Sequence, residues 1–115
     1  RDQLRRIGPL EIHVHAHHAK ISDAMRKRAE RLVVKAAERI PRVVSATIHF
    51  EQDGIVRRVS IAMHAPRHHD LMGRAEGRFF GPALVSALAR VKSQASKEKR
   101  TLGKGRAHRL ARANP

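Results

Sequence analysis

The chain has no cysteine, tryptophan or tyrosine, and only three phenylalanines in 115 residues. Without cysteine there are no disulfides, no thiolate nucleophile and no Cys-ligated zinc, a composition that suits the cytosol. With so few aromatics, a sheet that reads RNA by stacking bases on its surface is hardly open to this chain. RNA would be met through phosphates and shape. Acid is scarce as well: ten Asp and Glu stand against twenty-five Lys and Arg, a formal charge of +15 with histidine neutral. Self-repulsion at that charge works against a compact chain, so an anionic partner is expected, nucleic acid before a membrane surface. No apolar run approaches the ~20 residues of a transmembrane helix, and no signal-peptide pattern opens the chain. Ser22, Ser45, Ser60 and Ser86 lie in no nucleophile elbow or triad, so no enzyme is indicated.

What is present is clear patterning. Leu10 to His17 alternates with period two, as a strand with one buried face does. Met25, Ala29, Leu32, Val33, Ala36 and Ile40 then recur at three- and four-residue steps, the stripe of an amphipathic helix. Ser22 is its expected N-cap, with Asp23 well placed against the helix dipole, and Pro41 stops it. Alternation returns over Val43 to Glu51, with Val44, Ala46, Ile48 and Phe50 on one side. Asp53-Gly54 marks a hairpin into a strand over Ile55 to Ala65 that buries Val59, Ile61 and Met63. A short fourth strand, Leu71 to Glu76, leads to a second helix. Gly81-Pro82 reads as its start, Leu84, Leu88, Val91 and Ala95 form its stripe, and it ends near Arg100. Residues 1–9 read as a loose basic lead-in, 10–101 as one folded domain, and 102–115 as a flexible basic tail. The expected fold is thus α+β with order β-α-β-β-β-α. A right-handed crossover makes the first two strands parallel, and both helices cover one face of a four-stranded mixed sheet while the other stays wet.

The positive charge is organised. On the first helix Arg28, Arg31, Lys35 and Arg39 fall along one flank beside the apolar stripe, with Lys27 on the solvent crest and Arg26 and Glu30 on the far flank. Such a ridge can follow a phosphate backbone, and arginine offers a fork to phosphate oxygens. The second helix adds Arg90, Lys92, Lys97, Lys99 and Arg100. Basic residues also suit any helix C-terminus, but two such helices with so little acid favour a nucleic-acid partner.

The residues also resemble a family. "AKISDAMRKRAERLVVKAAERI" is similar to the Ile-Thr-Asp-Ala-Leu-Arg helix start of the ribosome hibernation-promoting factors, also called ribosome-associated inhibitor or sigma-54 modulation proteins. "VSIAMHAPRHHDLMGRAEG" resembles that family's strand, Pro-Gly-His-Asp turn and short Ala-rich strand. The resemblance spans about Leu10 to Arg100. It implies a cytoplasmic bacterial protein, or an organellar relative, that is not an enzyme and uses no cofactor, metal or small-molecule substrate. Such a protein docks basic helix faces on 16S ribosomal RNA of the small subunit, in the channel of messenger and transfer RNA, and silences translation under stress. On the matching elements the contacts would be Lys27, Arg28, Arg31 and Lys35, then Arg90, Lys92 and Lys97, with Arg67 and His68 in the turn as lesser candidates. Two departures stand out. The family opens its second helix with an Asp-Met-Tyr-like segment where this chain has Phe79-Phe80-Gly81-Pro82. Nothing after Leu102 fits the C-terminal dimerisation domain of long members, so a short member, or a fragment of a long one, is expected. A generic RNA- or DNA-binding module, such as a ribosomal protein, is the alternative.

One stretch, "EIHVHAHH" from Glu11 to His18, admits another reading. His-x-His on a strand places two imidazoles on one side, and His49 and His64 share that side by alternation, so a third metal ligand is conceivable. The plainer reading is a wet sheet face rich in histidine, which with ordinary imidazole pKa values of about 6.5 would gain charge on mild acidification.

Overall fold

A computed structural model describes the backbone of residues 3–66 and 69–113, and the side chains of 4–66 and 69–97. Its elements run β1 (Gln3–Ile7), β2 (Leu10–His17), α1 (Asp23–Arg39), β3 (Ser45–Asp53), β4 (Val56–His64), β5 (Leu71–Gly77) and α2 (Phe80–Ala113). The sheet has five strands in the order β1-β2-β3-β4-β5. Only the β2–β3 pair is parallel, as the α1 crossover requires; the other pairs are antiparallel.

The extra strand corrects the expected loose lead-in. Two apolar residues in Gln3–Ile7 give no alternation, yet Gly8, at φ +60, and Pro9 form a two-residue turn that folds this segment back on β2. Register places Arg5 opposite Ile12, on the helix-bearing face. There its guanidinium donates to the Glu30 carboxylate of α1 at 2.9 Å, and Glu30 is only 4% exposed. Glu30 therefore lies under β1, away from the solvent that its place on the far flank of the helix suggested.

The core follows from the alternation. Ile12, Val14, Ala46, Ile48, Phe50, Val59, Ile61 and Met63 are buried on one sheet face, against Ala29, Val33 and Ala36 of α1 and Leu84, Ala87, Leu88 and Val91 of α2. Burying a large aliphatic or aromatic side chain of this kind stabilises by about 1.5–3 kcal/mol. Phe50 and Phe80 meet edge to face with centroids 5.4 Å apart, one of the favoured aromatic geometries. Ser22 caps α1 through a 3.1 Å bond from the Met25 amide to its hydroxyl. Gly54, at φ +61, turns β3 into β4 where register leaves Gly54-Ile55 as the loop, so Asp53 is the last strand residue.

Gly73 decides how deep α2 sits. A Cβ there would press into the Ala87 carbonyl oxygen and lie 2.8 Å from the Val91 Cγ2. The helix backbone therefore rests directly on β5. Along that contact, Arg90 donates to the Arg74 carbonyl and the Met72 amide donates to Gln94 Oε1 at 2.7 Å. Later helix residues thus meet earlier strand residues, and α2 runs antiparallel to β5. It starts at Phe80, one residue ahead of the expected Gly81 cap, and continues past Arg100 to Ala113. Between those points only Gly103 and Gly105 disfavour helix; the surrounding Lys, Arg, Leu and Ala residues support it. The stop in the apolar pattern marks the end of sheet contact, while the helical backbone goes on.

Candidate nucleic-acid interface

α1 and α2 both run against the direction of β2, β3 and β5, so they lie parallel to each other over the sheet. Their facing flanks are fixed by one contact. A methyl group on Gly81, in the first turn of α2, would stand 3.1 Å from an Arg28 guanidinium nitrogen and 4.0 Å from the Met25 methyl. The Arg28 flank of α1 therefore faces α2, and the opposite flank, with Glu30, faces β1. Side chains three, four and seven positions apart stack on one helix face. Arg31, Lys35 and Arg39 follow Arg28 in this way, and all four are exposed. Lys92 follows Gly81 by the same eleven residues that separate Arg39 from Arg28, which is three turns, or roughly 16 Å of rise. Arg39 and Lys92 therefore stand on opposite banks at the far end of the groove.

Two of the three α1 acids are held elsewhere. Glu30 is taken by Arg5, and Asp23 by Arg26 at 3.0 Å, both on the flank toward β1. Glu38 is exposed on the solvent crest, three positions after Lys35. On α2 the sequence offers one acid, Glu98, within Phe80–Ala113. Among the described residues, Arg28, Arg31, Lys35, Arg39 and Lys92 make no ion pair or side-chain hydrogen bond. Their guanidinium and ammonium donors are open to solvent, where an anionic backbone can take them.

The remaining expected residues are dispersed. Lys27 is exposed on the crest of α1. Arg90 stands on the other side of α2, bonded to the Arg74 carbonyl at the β5 edge, and does not reach the groove. Lys97 is exposed beyond the sheet contact, on the side of α2 away from α1. Arg67 and His68 lie outside the described residues, as do the side chains of Lys99 and Arg100. Periodicity places Arg28, Arg31, Lys35 and Arg39 on one flank of α1, but it could not separate Lys92 from Arg90. That distinction needs the position of the sheet edge.

The histidines occupy the opposite sheet face. His15 and His49 are register partners whose rings stack 4.8 Å apart, and His13 stacks on His15 at 6.4 Å. His64 Nδ1 lies 2.7 Å from Asp70 Oδ1 and His13 Nε2 3.5 Å from Glu11 Oε1. Arg58 bridges Glu76 at 2.8 Å and Glu51 at 3.6 Å; Glu76 foremost holds its guanidinium pKa above the usual value. Among the described residues no three His, Asp or Glu side chains gather in a metal-holding group. Among those residues, too, no helix is long and apolar enough to cross a membrane.

The fold has counterparts among known proteins. Two solved structures share the fold: the N-terminal domain of Protein Y from Thermus thermophilus and a ribosomal subunit interface protein from Coxiella burnetii. The first is 19% identical with a TM-score of 0.64, over 73% of this chain and 92% of that one. The second is 20% identical with a TM-score of 0.64, over 77% of this chain and 97% of that one. No curated protein sequence matches. The model of the sigma 54 modulation protein / S30EA ribosomal protein family matches residues 12–102, from β2 into α2, and leaves β1 outside. The chain belongs to the sigma 54 modulation protein / S30EA ribosomal protein family.

Proposed function

We propose that this chain is a ribosome-binding factor that lays the α1–α2 groove on 16S ribosomal RNA of the small subunit, in the messenger and transfer RNA channel, and silences translation under stress. The observation that carries the reading is the set of five cations without a partner among the described residues, Arg28, Arg31, Lys35, Arg39 and Lys92, converging on one groove, while Glu30 and Asp23 are engaged on the opposite flank of α1. Lys27 extends the cationic surface over the crest. The family and the subunit-interface relative support a ribosomal partner. The mechanism is occupancy: cations displace condensed counterions from RNA phosphates, and the bound protein fills space that a translating ribosome needs. No bond is made or broken, and the role requires no cofactor. A cytoplasmic setting goes with such a partner.

Sedimentation with purified ribosomes and separated subunits tests this. Co-migration with the small subunit and inhibition of cell-free translation are expected, both lost with Arg28→Glu, Arg31→Glu and Lys35→Glu combined. Equal binding by that variant would refute the groove assignment. Equal binding to any structured RNA, with no preference for the subunit, would instead make the chain a generic RNA-binding module.

A further inference from the structure

The groove opens, at its Gly81 end, two residues from the most exposed of the three phenylalanines. Phe79 is 68% exposed and Ile55 71%, and both line a cleft of about 390 Å³ between the β3–β4 hairpin and the β5–α2 junction. Its other walls include Arg57 and Arg78. Arg57 is held in place: it donates to the Arg78 carbonyl, and its guanidinium carbon lies 5.7 Å from the centre of the Phe80 ring. A second cleft shares Gln52, Gly54 and Arg57 with the first and adds His18 and Lys20. No acid lines either one, the nearest in sequence being Asp53 at the hairpin tip. An apolar ring ought to be buried, and Phe80 beside it is. Phe79 is instead presented to solvent among cations, in a chain with no aromatic to spare.

We propose that Phe79 is a stacking platform for one unpaired nucleobase, with Arg57 and Arg78 on the flanking phosphates and Ile55 closing the far wall. A flat base gains from an aromatic face whatever its sequence, and its phosphates need the cations that ring this cleft. A single strand leaving the α1–α2 groove past Gly81 meets Phe79 next. The proposal thus rests on the RNA-binding reading of the groove and adds to it a preference for unpaired RNA. It also gives a role to the segment where the chain departs from its family, Phe79-Phe80-Gly81-Pro82.

The absence of tryptophan and tyrosine makes the test direct. Full-length protein carrying Phe79→Trp has a single indole at the platform. A short single-stranded RNA should quench its emission, while a duplex with the same number of phosphates should bind without quenching. Phe79→Ala and Phe79→Leu should each weaken single-strand binding by about tenfold, with Phe79→Tyr restoring it and duplex binding unchanged. Binding by fluorescence anisotropy of labelled RNA is followed in parallel. Anisotropy that reports single-strand binding while the indole emission stays constant would overturn the platform alone. Absence of RNA binding by either form would overturn the groove reading and the platform with it. Quenching by heparin equal to that by RNA would reduce the cleft to a charge effect and overturn the proposal. Emission changed by RNA-free ribosomal protein, and not by the oligonucleotide, would assign the cleft to a protein partner and overturn it too.

Discussion

Neutralising three cations of the groove should change the salt dependence of RNA binding more informatively than it changes affinity. Arg28, Arg31, Lys35, Arg39 and Lys92 stand unpaired there. If each meets one phosphate, at about −0.9 per contact the slope of log K against log salt is about −4.5, and affinity falls about 500-fold between 50 and 200 mM salt. Replacing Arg28, Arg31 and Lys35 by Gln leaves two contacts, a slope of about −1.8 and a loss of about twelvefold over the same range. The three side chains are exposed, so the fold should keep its melting temperature within a few degrees. The assay is anisotropy of a labelled fragment of small-subunit RNA, titrated at four or more salt concentrations. A slope unchanged in the triple variant would show that the phosphates are met elsewhere, whatever happened to affinity at one salt concentration. Arg90→Gln is the internal control: bonded at the β5 edge, it should leave the slope as in the parent.

Other expectations concern stability. Gly73→Ala drives a methyl group into the α2 backbone and should cost about 2 kcal/mol or more in urea unfolding, a far larger loss than helix or strand propensity would suggest. Glu30→Ala removes the anchor of β1 and should cost about 1 kcal/mol, since Arg5 can turn to water; hydrogen exchange should speed at the β1 amides first. Ser22→Ala should cost about 1 kcal/mol through loss of the α1 cap, and Ser22→Asp should recover most of it.

The elements with strong alternation were legible in the chain, and the reasons differ where they were not. β2 was readable to the residue because Ile12 and Val14 alternate with histidines too polar for the core. α1 was readable because its stripe, its Ser22 cap and Pro41 agree. β1 was hidden because its place is secured by an ion pair across twenty-five positions, Arg5 to Glu30, and by strand pairing, neither of which leaves a hydrophobic pattern. The one local sign was Gly8-Pro9 between Ile7 and Leu10, a turn with nothing obvious before it to fold back. The candidate site was legible only in its grouping on α1. Periodicity placed four cations on one flank of α1, but which bank they face depends on α2 approaching Gly81, where the lack of a side chain admits Arg28. The exposure of Phe79 was not legible at all: a count of aromatics says how many there are, not which one the fold leaves outside.

The way α2 closes over β5 has a consequence for how this chain behaves in a crowd. An unpaired strand edge is a template on which another chain can grow, and a five-stranded sheet has two of them. At β5 the outward amide of Met72 and carbonyl of Arg74 are already spent on Gln94 and Arg90, so the middle of that edge is less open to a newcomer. At β1 the edge is open, but it carries Arg5 and Arg6 on adjacent positions, and an approaching copy would bring the same pair against them. One border is partly covered and the other carries like charge, and both features discourage copies from pairing edge to edge.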